Sequence, residues 1–441
     1  MNIVPPIPTT LTPATAPDLL DTISLYLHIP FCHAKCHYCD FNSYAGMLGL
    51  REAYVAALCD EIALAGRRAR LPDGSPRRCR TIFFGGGTPS LLTDAQVDTL
   101  LAAARAAFAL DADAEITLEA NPGTLEYGHL DRLRAVGVNR LSMGAQSFDA
   151  DLLRWMGRIH SPEEIETAFR SARSAGITSV NLDFIYALPG QSLATWRETL
   201  DRALALGPEH LSLYSLIVEE GTPLFTWVRQ GRVRPADEDL AADMYELAEE
   251  RLARAGYQHY ELSNWAQPGH ACQHNLTYWR NLPYLGLGAG AHSSYASHRF
   301  MDARPIRDYI QRITASVALE SAHNTAYTLP AGAVVEDEII APDVAMAETA
   351  MLALRLDEGL SLKGFAARYG QDFDAVFGKR LARVSAAGLL ERDEARDGHD
   401  TRLRLTARGR LLGNEVFERL LPDETNSATQ SDLHITTAHA S

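Results

Sequence analysis

Between about Ile23 and Val218 the chain alternates short runs of apolar, β-branched and aromatic residues with longer stretches in which apolar positions recur every three or four residues. Runs of the first kind fit strands and those of the second fit amphipathic helices; their alternation is the pattern of a parallel sheet covered by helices. Strands are expected at Ile23–Ile29, Thr81–Phe84, Glu115–Glu119, Arg140–Met143, Ser179–Tyr186 and His210–Leu216, with helices at Asp94–Phe108, Pro162–Ala175 and Ala194–Ala205 between them. Six such βα units predict an α/β fold in the form of an incomplete (β/α)6 barrel. The sharper polar signals each follow one of these strands, on the side where α/β barrels and open sheets place their sites.

Beyond Leu216 the pattern loosens into an extension, with a helix expected near Ala236–Ala255, a strand at Tyr257–Leu262 and a polar loop over Ser263–Thr277. The barrel and its extension are therefore assigned to 23–300, and 301–343, which contains Pro342, is read as a linker. A second unit spans 344–421. Its helices are expected at Val344–Leu354, Ser361–Tyr369 and Asp372–Ala387, with a small β-ribbon from Leu389–Arg392 and Leu403–Thr406, an order that resembles a winged helix. The leader 1–22 is short and proline-rich, and the tail 422–441 is rich in Ser, Thr, Asn and Asp, so both are expected to be disordered.

Composition narrows the function classes. At 441 residues with 46% hydrophobic content the chain can build two cores. Its 41 basic against 56 acidic residues, a formal net charge of -15, argue against a general nucleic-acid binder, which needs basic surface to displace counterions. The N-terminus has neither a basic n-region nor a long apolar run, so no signal peptide or membrane span is expected. Six cysteines are few, and half of them share one loop, which favours a reducing, cytoplasmic setting over a disulfide framework. Cys59, Cys79 and Cys272 stand alone and receive no role.

That loop, HIPFCHAKCHYCDFNSYA, follows the first expected strand and carries Cys32, Cys36 and Cys39. Three thiolates are one short of a closed structural zinc site, whereas a four-iron cluster held by three cysteines keeps one iron open. A zinc loop completed by His33, His37 or Asp40, or three unconnected thiols, are the plainer alternatives. Gly85-Gly86-Gly87-Thr88-Pro89 follows the second strand, where missing Cβ atoms let backbone approach a ligand or merely make a turn. Glu119, Gln146 and Asp183 end three further strands as polar residues among apolar neighbours. Each suits hydrogen bonding to a ligand and equally suits a buried partner within the protein. Arg158, by itself, reads as a surface residue.

The Cys-x3-Cys-x2-Cys spacing resembles the radical S-adenosylmethionine (SAM) superfamily. In order, YLHIPFC, GGGTP, EANP, G-x-QSF, GR and NLDFIYALPG resemble its coproporphyrinogen dehydrogenase-like branch, over roughly Leu25 to Leu420. The resemblance implies a [4Fe-4S] cluster on Cys32, Cys36 and Cys39, with the open iron chelated by the SAM methionine. It further implies SAM contacts from Tyr26, Gly86, Gly87, Thr88, Glu119, Gln146, Arg158 and Asp183, and more loosely from Ile217.

Two subgroups of this branch differ at readable positions. The oxygen-independent coproporphyrinogen dehydrogenase carries another cysteine two residues after the third ligand; here that position is Phe41. HNLTYW at His274–Trp279 is similar to the His-Asn-x-x-Tyr-Trp signature of the heme chaperone group, HemW. That likeness implies heme as a third cofactor and a heme-acceptor protein and an electron donor as partners, with a carrier role rather than an enzymatic one. Coproporphyrinogen decarboxylation is the alternative. An imidazole can ligate heme iron, which makes His274 a candidate and His292 a second; the competing reading has His274 and Asn275 bonding a loop while Tyr278 and Trp279 anchor a core. A redox-sensing DNA binder is a third reading. Its recognition helix would offer only Lys379, Arg380 and Arg383 in an acidic chain.

Overall fold

A computed structural model describes residues 21–323, 332–394 and 400–422. Six parallel strands form where the alternation places them: β1 Thr22–Ile29, β2 Arg78–Gly86, β3 Ala109–Ala120, β4 Arg140–Gln146, β5 Ser179–Tyr186 and β6 His210–Ser215. Helices Arg51–Arg68, Asp94–Ala107, Tyr127–Val136, Pro162–Ser174 and Leu193–Leu206 lie between them. Local chemistry sets their starts. Thr93 with Gln96 and Ser161 with Glu164 form capping boxes, and Pro162 occupies the first helical turn, where its missing N–H costs nothing.

The sheet is longer than six strands. It continues through β7 Gln258–Glu261, β8 Asn264–Ala266, β9 Tyr284–Leu287, β10 His292–Tyr295, β11 His298–Asp302 and β12 Val334–Ile339, in the order β12-β11-β10-β9-β1-β2-β3-β4-β5-β6-β8-β7. β9 runs parallel to β1, while β10 to β12 and β8 and β7 add antiparallel arms at the two edges. Among the described residues no pairing closes the sheet, as expected of an incomplete barrel. The reading of 301–343 as a linker is corrected: it carries the end of β11, the helix Ile306–His323 and β12. β12 escapes a hydrophobicity reading because VVEDEI is an edge strand with an exposed, charged face. Residues 1–20 of the expected leader and 423–441 of the expected tail lie outside the described residues, and Thr22 already opens β1.

Side chains alternate across the strands. One set, including Leu25, Leu27, Ile82, Phe84, Leu118, Leu141, Leu182 and Leu213, packs in the core with the helices. The other set is polar: Ser24, Tyr26 and His28; Glu115, Thr117 and Glu119; Arg140 and Ser142; Asn181 and Asp183; His210 and Ser212. This polar concave face holds the candidate site.

From Met346 to Leu420 a separate core gathers Phe365, Phe373, Phe377, Leu381 and Val416. Helices Pro342–Ala353, Leu362–Tyr369 and Phe373–Ala386 accompany a small sheet of β13 Leu360–Ser361, β14 Leu390–Glu394 and β15 Thr401–Leu405 in the order β13-β15-β14, the winged-helix-like order that was expected. The unit sits against the extension through Leu262 N–H to Arg355 O, Asp357 N–H to Tyr260 O and an Arg410–Glu249 ion pair of 2.9 Å. Several of its arginines are already engaged within the protein. Arg404 pairs with Glu391 and Asp393, Arg392 with Asp374, and Arg380 donates to Leu421 O, which suits a docked ribbon rather than a phosphate-binding one.

One buried feature has a pH consequence. Glu61 on the helix Arg51–Arg68 accepts from Gly288 N–H at 2.7 Å and Tyr309 O–H at 2.8 Å, and faces Asp302 of β11. Burial first, and then the Glu61 charge, push the Asp302 carboxyl well above its usual range, so Asp302 holds the shared proton. A folded pKa raised above the unfolded one gives stability that is complete below the unfolded pKa and lost as pH rises through the folded value. Asp302→Asn, which keeps the donor without the titration, is expected to flatten this alkaline loss. Urea unfolding midpoints at mildly acidic and alkaline pH test it: equal slopes for both proteins would show that the pair is not protonated.

Candidate functional site

Parallel register brings the carboxyl ends of the strands into one row. Ile29 pairs with Gly86, Glu119 with Ser142, Gly144 with Asp183 and Asp183 with Ser212, so Gly86, Glu119, Gln146 and Asp183 line the same end of the sheet. Tyr26, Gly86, Gly87, Thr88, Glu119, Gln146, Arg158 and Asp183 are all half-buried, whereas the apolar residues flanking them on the strands are buried. Half-burial at successive strand ends is what a cleft lining requires; core polar groups would be enclosed.

The loop after β1 delivers the cysteines to this end. Phe31–Cys32 pairs with Tyr44–Ala45, which folds the loop back, and Cys39 N–H bonds Cys36 O. Two sequence-distant donors point at sulfur: Thr88 Oγ1 lies 3.6 Å from Cys32 Sγ, and Arg158 Nη1 lies 3.4 Å from Cys36 Sγ. Burial, then the neighbouring thiols among smaller effects, pushes Cys39 up to about 11. Among the described residues no three His, Cys, Asp or Glu side chains are gathered as ligands of a single ion. A cluster spreads its cysteines over different irons, and donors aimed at sulfur suit thiolates carrying one. His37 is directed elsewhere: its Nδ1 bonds Trp155 O at 2.9 Å and its ring packs on Trp227.

The glycine run is required by space. Gly86 has φ +112°, and a Cβ there would lie 2.5 Å from the His28 ring; one at Gly87 would lie 2.7 Å from Phe31 O. Gly86 N–H donates to Glu119 Oε2 at 3.0 Å, orienting that carboxylate along the row. Tyr26 stacks on Phe83 and bonds His28 Nδ1 at 3.0 Å, and burial followed by the Glu119 charge keeps its phenol protonated. Gln146 takes φ +66° at a register shift between Gly144 and Gln146, a left-handed conformation that turns the strand end. Arg158 is no free surface residue: besides Cys36 it donates to Gly144 O at 2.8 Å. Ile217 is exposed on the loop leaving β6.

His274 lies apart from this row. It opens the helix Gln273–Trp279 in the segment expected as a polar loop, and it is 1% exposed. Nδ1 bonds Thr81 Oγ1 at 2.7 Å, Nε2 bonds Tyr278 Oη at 2.9 Å, and the ring stacks on Phe83. Burial, and then Arg140, lower it to about 3, so it stays neutral. Both ring nitrogens of His274, the heme-iron candidate, are thus engaged within the protein. His292 is exposed at the start of β10. The sequence reading missed the polar network below the row, formed by Arg140, Asn181, His210, Ser212 and Glu115. Its signal was present as period-two polar residues inside otherwise apolar strands.

Residues 26–203 match the radical SAM superfamily and 340–412 match the HemN C-terminal domain. The heme chaperone HemW of Bacillus subtilis is 36% identical over 399 residues, covering 90% of this chain and 99% of that protein. Escherichia coli HemW is 44% identical over 290 residues, 65% of this chain and 73% of that one. The solved structure of the coproporphyrinogen III oxidase HemN from Escherichia coli superposes with a TM-score of 0.73 at 26% identity, covering 90% of each chain.

Proposed function

This chain belongs to the heme chaperone HemW family of the radical SAM superfamily, and on that footing we propose that it binds a [4Fe-4S] cluster, SAM and heme, and passes heme to an acceptor protein in the cytoplasm. The observation that carries the reading is the row of half-buried polar strand ends beside three cysteines, two of whose sulfurs, Cys32 and Cys36, already have donors. Bound there, a cluster and SAM supply an electron and a cleavable sulfonium, the electron coming from a reductant protein.

The chain's own residues divide the remaining work. Cys32, Cys36 and Cys39 are the cluster ligands; hydrogen bonds from Thr88 and Arg158 to sulfur ease negative charge there and raise the reduction potential. Glu119, oriented by Gly86, is an acceptor for an ammonium or a ribose hydroxyl. Gly87 N–H to Ile29 O and Thr88 N–H to Phe31 O hold the glycine run against the end of β1 and the start of the cysteine loop. Tyr26, Gln146 and Asp183 complete the polar lining. Three loops at this end expose apolar side chains, Phe41, Ile159 and Ile217, the kind of surface an apolar macrocycle can cover. No described helix is long and apolar enough to cross a membrane.

The likeness to HemN favours a second reading, oxidative decarboxylation of coproporphyrinogen. Phe41, exposed where that enzyme group carries its extra cysteine, weighs against it. One anaerobic preparation separates them. After cluster reconstitution, a heme titration followed by absorbance is expected to saturate, while coproporphyrinogen with SAM and reductant is expected to stay unconverted. Appearance of vinyl products would overturn the carrier reading.

A further inference from the structure

On the concave face beneath the strand ends, side chains from separate parts of the chain form one line of hydrogen bonds. Asn275 Nδ2 donates to Tyr260 Oη at 3.1 Å, Tyr260 Oη lies 2.9 Å from His210 Nε2, and His210 Nδ1 lies 2.7 Å from Asn181 Oδ1. Asn181 Nδ2 then donates to Asp183 Oδ1 at 2.7 Å. The far end fixes every direction. An ionised carboxylate only accepts, so Asn181 turns its amide N–H to Asp183 and its carbonyl to His210. His210 therefore carries its proton on Nδ1 and accepts from the Tyr260 hydroxyl at Nε2. Burial holds this imidazole neutral, since it lowers the pKa well below the ordinary value.

Two serines brace the line. Ser142 Oγ donates to Asp183 Oδ2 at 3.1 Å, and Asn181 Nδ2 also lies 2.8 Å from Ser142 Oγ and 2.9 Å from Ser212 Oγ. Asn181, His210 and Asn275 are buried, so they do not meet a ligand themselves, while Asp183 is half-buried at the strand end. Hydrogen bonds that all point one way polarise each other and strengthen the last of the series.

The geometry points to a positioning relay in which Asn275, Tyr260, His210 and Asn181 fix the orientation and charge of the Asp183 carboxylate for SAM, the three buried members without touching SAM. It rests on the proposed SAM role of Asp183. It also gives the HNLTYW segment a task in the SAM site through Asn275, in place of heme ligation by its histidine.

A pH readout distinguishes positioning from mere packing. Facing Asp183 are Arg140 from β4 and Tyr214 from β6, while His210 of β6 reaches it only through Asn181. Desolvation raises the Asp183 pKa, opposed by hydrogen bonds from Ser212, Asn181 and Ser142 and by the Arg140 charge. Removing a donor therefore moves the loss of SAM binding on acidification to higher pH.

The experiment is equilibrium dialysis of SAM against the cluster-reconstituted full chain, from acid to neutral pH. Asn181→Ala is expected to weaken SAM binding about tenfold near neutrality and to move the acid limb up by about one pH unit. Tyr260→Phe keeps the ring and breaks the line; it is expected to weaken binding about threefold, with a shift of the same sign. An unmoved acid limb in both variants overturns the relay, and if Asn181→Ala fails to fold, Tyr260→Phe decides alone. Asp183→Asn in the same assay separates the two levels. Unchanged affinity there removes the SAM role of Asp183 and the relay with it, whereas weakened affinity with unmoved limbs in the relay variants removes the relay only.

Discussion

Cys32→Ala, Cys36→Ala and Cys39→Ala are each expected to abolish the cluster, taking iron from about four per chain after reconstitution to near background, with sulfide falling in step. Loss should be complete for each because the open iron already leaves the cluster one protein ligand short. The structure supplies the control for indirect effects. Cys59 lies on the helix Arg51–Arg68 with its thiol near Thr99 O, far along the chain from the loop, so Cys59→Ala is expected to keep full iron. Folding should survive in the loop variants, since β1 is anchored by Leu25, Leu27 and Ile29 in the core rather than by the thiols. Iron, sulfide and circular dichroism are measured on the same samples. Full iron and sulfide in all three loop variants would overturn the ligand assignment.

Most of the site was legible because it sits where pattern and chemistry coincide. Each of the six parallel strands is an apolar run whose outward side chains pack on helices, so hydrophobicity located it, and the polar residue at its end stood out by contrast. The extents were shorter than the real strands: Thr81–Phe84 grew to Arg78–Gly86 and Glu115–Glu119 to Ala109–Ala120, because the added residues are mostly small or charged and lack the β-branched, aromatic signature of a strand, though Arg78 pairs with Asp111 across them. The antiparallel arms β10 to β12 were not legible, for their side chains alternate little and one face is solvated. The helix Gln273–Trp279 was missed for another reason. Its seven residues have weak helix propensity, and what holds its start comes from far away in sequence. Glu115 accepts from Gln273 N–H at 3.1 Å and from His274 N–H at 3.0 Å, placing a carboxylate on the first turn. No local window contains that cap.

The same distant contacts decide what His274 does, and His274→Ala is expected to lower stability by about 2–4 kcal/mol while leaving the Soret band and heme affinity unchanged. The loss has two sources. Truncation removes the ring stacked on Phe83, opening a cavity against the second strand, and it strands the buried hydroxyls of Thr81 and Tyr278, each bonded to one ring nitrogen. His274→Gln restores part of the hydrogen bonding and should recover part of the stability. Urea unfolding and a heme titration on the reconstituted protein read the two quantities separately. A ligand role would give the reverse pattern: His274→Gln would shift the Soret band while remaining nearly as stable as the parent. That result would require the helix Gln273–Trp279 to leave Thr81 and Glu115 before heme binds, at the cost of every contact that now fixes it.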